Sequence, residues 1–325
     1  TQKLEAAKIL LATGVIARKG STTDKNTAGA SSPQARERQM SVEVNCATTS
    51  FLGDSFTFID CPGPIEFLQE PLNALVGVDA AVVVCEPEPA KVLALSPLLK
   101  LLADQSIPHF IFVNKIDKAT GLVRDLQAAL QSVSPKPLVL RQVPIRDGEH
   151  VTGYVDLASE RAYVYKDDAP SEIVKLPPSI EDRKAEARYA MLEKLADFDD
   201  KLMEALLEER EPSRDIVFAD LTRELQQGLI VPVLLGAADT GHGVRRLLKG
   251  LRHEVPVHAA AAERVGVDAG QVEPVAQVLK TYITGHGGKL SLARLWSGAR
   301  SLRLADGPDE VHRRSLARRE LSRYA

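Results

Sequence analysis

No apolar run in this chain reaches the roughly 18 to 20 residues that a bilayer-crossing helix needs, which excludes a helical membrane span. The opening Thr1-Gln2-Lys3-Leu4-Glu5 carries an acidic residue and no apolar stretch, so it does not read as a signal peptide. Cysteine is scarce. Cys46, Cys61 and Cys85 are odd in number and lack metal-like pairing, so a disulfide framework is not expected and reduced cytosolic thiols are. The seven histidines show no metal-ligand spacing, and His286 in Gly285-His286-Gly287-Gly288 reads as a turn residue. An excess of positive charge is missing too: the net charge is -3, so the surface as a whole is no trap for nucleic acid, although a local patch could still meet RNA. Arg313-Arg314 and Arg318-Arg319 read as a solvated helix face. There is no internal repeat.

What is present is a globular composition. Hydrophobic residues make up 44% and charged residues 26%, and 325 residues suggest two domains. A helix is expected over 2–13, with Gly14 as its stop, and a mobile, functional loop from Ser21 to Arg38. Val42 to Cys46 and Ser55 to Ile59 read as strands of a hairpin around Gly53-Asp54. Ala80 to Cys85 and His109 to Val113 are continuous apolar runs suited to strands buried on both faces of a parallel sheet, with a helix from Leu93 to Ala103 between them. Arg124 to Ser132 reads as a helix and Pro137 to Leu140 as a strand. The character changes over 146–227, a β-like stretch and then charged helices, which reads as an insertion. Ile230 to Leu235 resumes the sheet, Gly243 to Leu251 is a helix, and strand–turn–strand signals follow over 275–303.

Three loops after strands carry the chemistry. Asn114-Lys115-Ile116-Asp117 follows the strand ending at Val113. There an Asp carboxylate can accept two parallel hydrogen bonds from guanine N1–H and N2–H, a pair that adenine does not offer. Asn114 can meet the other edge of the base and the Lys115 stem can lie along the ring. Alone, the pattern fits equally a polar turn with Asp117 as a helix cap. Asp60-Cys61-Pro62-Gly63 closes another strand: the acid can hold magnesium through its water shell, and the glycine lets an N–H reach a terminal phosphate. By itself this is also a common Pro-Gly turn. Gly236-Ala237-Ala238 is a small-residue loop whose N–H groups can reach a base carbonyl. In this order, at the carboxyl ends of sheet strands, the series favours a nucleotide site over three unrelated turns.

The same segments resemble the nucleotide-binding domain of bacterial elongation factor G, particularly its divergent second-copy relatives. Leu10 to Gly20 (LLATGVIARKG) is similar to the helix and loop after the family's phosphate loop, and Glu37-Arg38-Gln39-Met40-Ser41-Val42 to its switch I. Asp60 to Gly63 resembles switch II, Asn114 to Asp117 the guanine motif, and Gly236 to Ala238 the Gly-Ser-Ala loop. Gly153 to Leu157, Ala162 to Tyr165 and Ala196 to Asp199 resemble the insertion specific to this factor, and Lys289 to Gly298 the start of its second domain. The resemblance implies an α/β fold with a P-loop-NTPase-type, mostly parallel sheet and an inserted α+β subdomain, followed by part of a β-barrel. It places the nucleotide-binding domain at 1–257 with the insertion at 146–227, a linker at 258–272 and the incomplete barrel at 273–325. It implies a cytoplasmic, monomeric GTPase working with the ribosome, with GTP/GDP and Mg2+ as cofactors and neither membrane nor DNA as partner. Asn114, Lys115, Asp117, Gly236, Ala237 and Ala238 would select and hold guanine, Gly63 the γ-phosphate, and Thr1, Ser41 and Asp60 the magnesium.

Departures from the family matter as much. The family's Gly-Lys-Thr phosphate loop is not in the sequence; Thr1 aligns with the residue after its lysine, and the start within the motif points to a sequence cut upstream rather than a degenerate member. As written, the chain is expected to hold phosphates poorly. Pro64 stands where the family has a water-positioning histidine, and proline offers no donor or acceptor beyond its carbonyl. Slow hydrolysis is therefore expected. The rival reading is a non-hydrolysing module that docks on the ribosome or another partner, and a ribosome-protection or release-factor relative shares the same motifs. Ser41 keeps the hydroxyl of the family threonine, Gln39 replaces a switch I glycine, and Ala237 lacks the hydroxyl of the family serine.

Overall fold

The computed structural model describes residues 9–14, 35, 37–38, 41–67, 69–119, 121–268, 275–283 and 289–297. They form two compact units, one containing 46–60 and 80–255, the other 41–45, 61–79 and the described residues from 256 onward.

The first unit is built on a parallel sheet in the order β3-β4-β10-β5, comprising β3 (Ala81–Cys85), β4 (His109–Val113), β10 (Val231–Leu235) and β5 (Leu138–Leu140). Val83 pairs with Ile111, Val233 with Ile111 and Val231 with Leu138. Strands β4 and β10 are buried throughout, as expected for a two-faced core strand. In β3 only Val83 is fully buried. The sequence reads β3 as buried on both faces; its place at the edge of the described sheet leaves the other four residues half-covered. The core behind the sheet joins Phe110, Phe112, Leu225, Leu234 and Leu247.

Helix α2 (Ser96–Asp104) starts three residues later than its apolar pattern suggests, because Pro89–Leu95 winds as a 3-10 segment and Pro97 sits in the first α turn. Its Leu99 and Leu102 are fully buried. Helix α3 (Val123–Val133) buries Leu126 and Leu130, one turn apart, and α7 (Val244–Glu254) follows Gly243, whose φ is 77°. Residues 9–12 are helical and end at Gly14 with φ 79°; the rest of the expected 2–13 helix lies outside the described residues.

The hairpin is shifted from its expected register. Strand β1 is Asn45–Phe51 and β2 Asp54–Asp60, joined by Leu52 (φ 51°) and Gly53 (φ 91°). Two consecutive positive φ angles make the two-residue turn whose twist suits a hairpin. This correction moves the first strand from 42–46 to the Thr-rich run, and Thr48 and Thr57 hydroxyls meet across it at 3.0 Å.

Between β5 and β10 lies an antiparallel meander, β6 (Gln142–Asp147), β7 (His150–Asp156), β8 (Arg161–Val164) and β9 (Glu172–Val174), with helices α4 (Glu181–Ala196), α5 (Asp200–Leu207) and α6 (Arg214–Gln226). They share a core that includes Val155, Leu157, Leu192, Leu195, Val217 and Leu221. Asp199 caps α5 by accepting from Leu202 N–H at 2.9 Å, and the Ser213 hydroxyl caps α6.

The second unit holds α1 (Gln69–Leu75), α8 (His258–Arg264) and the antiparallel pair β11 (Val275–Ile283) and β12 (Lys289–Ser297). The stretch expected as linker thus contains a short helix, whose Ala261 and Ala262 pack on Trp296. Arg294 lies 4.2 Å from the Trp296 ring and binds the Gly77 carbonyl and Asp79. The turn at Gly285 to Gly288 lies outside the described residues, as does all of 21–38 except Ala35, Glu37 and Arg38; Ala35 is helical and buried. No helix among the described residues is long and apolar enough to cross a membrane.

Candidate functional site

Three loops converge at the carboxyl ends of β3, β4 and β10. Asn114 leaves β4 and donates its N–H to the Cys85 carbonyl at the end of β3, 2.8 Å away. Its side chain is buried, and Oδ1 accepts both the Lys115 and the Ala238 N–H at 2.8 Å. Gly236 N–H donates to the Val113 carbonyl at 2.9 Å, and Ile116 N–H to the Gly236 carbonyl at 3.0 Å. The guanine-motif loop and the small-residue loop are therefore laced together by backbone bonds and one buried amide, which holds their spacing against water competition.

Small residues are required here. A Cβ on Gly236 would lie 2.3 Å from Phe112 Cζ and 2.5 Å from the His242 carbonyl oxygen, so no other residue fits. Ala237 and His242 exchange both backbone bonds at 3.0 Å and close 238–241 into a tight hairpin tip. The chain is pinned from the other side by Gln142, whose Oε1 accepts the Leu235 N–H at 2.7 Å. Nothing in the sequence pattern pointed to Gln142, because its role depends on a contact across 93 residues.

Each expected base contact has a definite place. Asp117 sits half-buried in the one-turn 3-10 segment Ile116–Lys118, whose cap is Lys115 with φ 60°. Its carboxylate accepts no hydrogen bond from the described residues and caps none of their helices. Lys115 is ion-paired with Glu86, which also binds Lys91 at 2.7 Å; its ammonium is thereby anchored beside the loop rather than free. The Ala238 N–H is given to Asn114, so a base oxygen would share it.

The phosphate and magnesium residues are placed less completely. Asp60 ends β2 in the first unit, half-buried; Ser41, buried, and Gly63, exposed, belong to the second. Thr1 lies outside the described residues. After Gly63 the chain turns at Pro64, whose carbonyl accepts the Phe67 N–H at 3.0 Å. In the second unit the segment after Ser41 is held at Val44: its N–H donates to Glu70 at 3.3 Å, its carbonyl accepts from the Tyr282 hydroxyl at 2.6 Å, and Glu70 also pairs with Lys280. Among the described residues no cluster of three His, Cys, Asp or Glu is placed to hold a metal ion. Magnesium needs few protein ligands when phosphates and waters supply the rest. Asp60, half-buried at the end of β2, carries a carboxylate of the donor type that magnesium takes.

The order of these loops has a match among known proteins. The family described as the elongation factor Tu GTP binding domain matches residues 6–257. The chain belongs to this family. It is 47% identical over 299 residues to an elongation factor G-like protein of Synechocystis sp., covering 92% of this chain and 44% of that one. It is 31% identical over 308 residues to elongation factor G of Fervidobacterium nodosum, covering 90% and 44%. A solved protein from Thermus thermophilus aligns with TM-score 0.78 at 24% identity, covering 91% of this chain and 44% of that one, and shows the same fold. The chain spans 44% of the length of these curated relatives.

Proposed function

We propose that this chain is the guanine-nucleotide-binding part of a translational GTPase of the elongation factor G type, a GTP/GDP switch that works on the ribosome and hydrolyses GTP slowly. The observation that carries this is the Asp117 carboxylate, left without a hydrogen-bond donor among the described residues while the adjoining Asn114–Ile116 segment is bonded to the Gly236–Ala238 loop. A half-buried carboxylate that no protein donor occupies can take donors from a ligand in place of water, and guanine supplies two. Family membership gives the same nucleotide. In this reading 1–257 is the nucleotide domain with its insertion at 146–227, 258–272 connects, and 273–325 begins a barrel. Asn114, Lys115, Asp117 and the Gly236–Ala238 loop hold the base, Gly63 serves the γ-phosphate, and Ser41, Asp60 and Thr1 serve magnesium. The protein acts as a monomer in the cytoplasm. The slow step follows from Pro64, which has no side-chain group to position water. Pro64 is also the observation that favours a second reading, a non-hydrolysing module that docks on the ribosome in a nucleotide-dependent way.

The test is equilibrium binding of fluorescent GDP to the full-length protein, with ADP as competitor. Asp117→Asn should weaken GDP by on the order of 1.5 to 3 kcal/mol, about 10- to 100-fold, because an amide donor then faces the base N–H groups. Equal GDP affinity in parent and variant would remove Asp117 from the base site.

A further inference from the structure

The base-reading hairpin is held from its far side by the inserted sheet. The segment after β8 runs directly under the 237–242 hairpin. Tyr165, buried, stacks face to face on His242, with ring centroids 4.4 Å apart and planes within 2°. Behind it Tyr154 packs at 5.4 Å, and Tyr163 stacks on Tyr154 at 5.0 Å, so the His242 ring ends a column of three tyrosines from β7, β8 and the residue that follows β8. Two polar contacts join the same surfaces. Asp167 Oδ1 lies 2.9 Å from His242 Nε2, and Asp168 N–H donates to the Thr240 carbonyl at 2.8 Å. Tyr165 is itself tied to the meander, its N–H donating to the Thr152 carbonyl at 2.9 Å. The Tyr165 hydroxyl has no hydrogen-bond partner and is pushed up by burial, then by Tyr154 and by the Asp117 carboxylate, which places the ring in the field of the guanine-selecting acid.

We propose that Tyr165 and Asp167 are positioning residues through which the inserted sheet sets the rate of nucleotide release from the guanine site. The inference rests on the guanine reading of Asp117 and Ala238. In this coupling, release of a base is faster when the hairpin carrying Ala238 moves away from the loop carrying Asp117, a motion that the Asn114–Ala238 bond also resists. That motion separates the His242 ring from Tyr165, breaks the Asp167–His242 bond and pulls Thr240 from Asp168. All three restraints come from one seven-residue connection between β8 and β9, far from Asp117 in sequence. The stack, not the hydroxyl, carries the restraint, since the hydroxyl bonds to nothing.

Stopped-flow release of N-methylanthraniloyl-GDP from the full-length protein tests this. Tyr165→Leu should speed release by about 5- to 10-fold, the worth of a lost ring pair, while association changes little. Tyr165→Phe keeps the stack and should release within about 2-fold of the parent, because no hydrogen bond is lost. Asp167→Ala, at an exposed carboxylate that cannot threaten folding, should speed release by about 2- to 5-fold. A folded Tyr165→Leu that releases GDP at the parent rate overturns the proposal. If that variant does not fold, an unchanged rate in Asp167→Ala overturns it. A parent that binds no GDP overturns the guanine reading and this inference with it, whereas a binding parent with unaltered variants overturns the coupling alone.

Discussion

Pro64 follows Gly63 as an element of backbone only. Its ring nitrogen carries no hydrogen, and its carbonyl accepts the Phe67 N–H at the end of the next 3-10 turn. General acid–base or water-positioning groups are worth about 10²- to 10⁴-fold, so a protein lacking one here should bind GTP and keep it. In single-turnover phosphate release on ribosomes, Pro64→His should raise the rate by about 10-fold or more if the turn accepts it, since proline's fixed φ has shaped that turn. A parent that already matches a histidine-bearing elongation factor would show that another group positions the water. Asn114 shows how one residue type can carry more than its motif suggests. Expected as a base contact, it is also the buried brace between two loops, and its Oδ1 is saturated by two backbone donors.

Among the elements, the β6–β9 meander leaves little freedom at one glycine. Gly153 in β7 pairs with Val164 in β8, and a Cβ there would come within 2.1 Å of the Tyr163 carbonyl oxygen. The contact is with backbone, so no rotamer change relieves it. Gly153→Ala should cost about 1 to 3 kcal/mol, read as a lower midpoint in urea denaturation, and it should also disturb the tyrosine column, because Tyr154 follows it. An unchanged midpoint would mean that β8 can step aside. Elements were legible where their pattern was local. The apolar runs of β4 and β10 and the Leu126/Leu130 spacing of α3 lie where periodicity puts them. The β1 register was not legible, because the choice between Leu52-Gly53 and Gly53-Asp54 as the turn depends on which strand twist packs, and the apolar residues are too few to decide it.

The first unit as a whole is tied together by buried charge. Arg141, without exposure, donates to Glu254 at 2.6 Å, and Arg246 to Asp156 at 2.8 Å, joining the β5–β6 junction, the end of β7 and α7. Burial alone would raise the Asp156 carboxyl, but Arg246 and Arg141 outweigh it and hold it below the ordinary range, so its contribution is present at neutral pH and lost only in acid. Glu224 has the opposite sign. It is fully buried on α6 beside Asp220 and Asp199, with Arg223 the shared cation, and burial and those two acids push it up to about 8. Below its unfolded value of about 4.3 both states are protonated; as pH rises from there to about 8 the unfolded chain releases a proton that the fold retains, and stability falls. Glu224→Gln should remove that slope, leaving the variant more stable by on the order of 1 to 3 kcal/mol near about pH 8 and equal to the parent near about pH 4.5. Urea titrations at several pH values would show this, and curves that stay parallel across the range would refute it.

The sequence by itself carried the family, the expectation of a guanine nucleotide and the order of the candidate loops. Asn114 to Asp117, Asp60 to Gly63 and Gly236 to Ala238 are short, contiguous and placed after strands, so their chemistry can be read without knowing how the strands pack. Only the tertiary structure decided which partners those residues already have. Glu86 on Lys115, Gln142 on Leu235, Asn114 on Ala238 and Tyr165 on His242 join residues 29, 93, 124 and 77 positions apart. Contacts at such separations leave no periodic or motif signal in one sequence, because what brings them together is the stacking of strands and the packing of the segment after β8 onto the loop that follows β10.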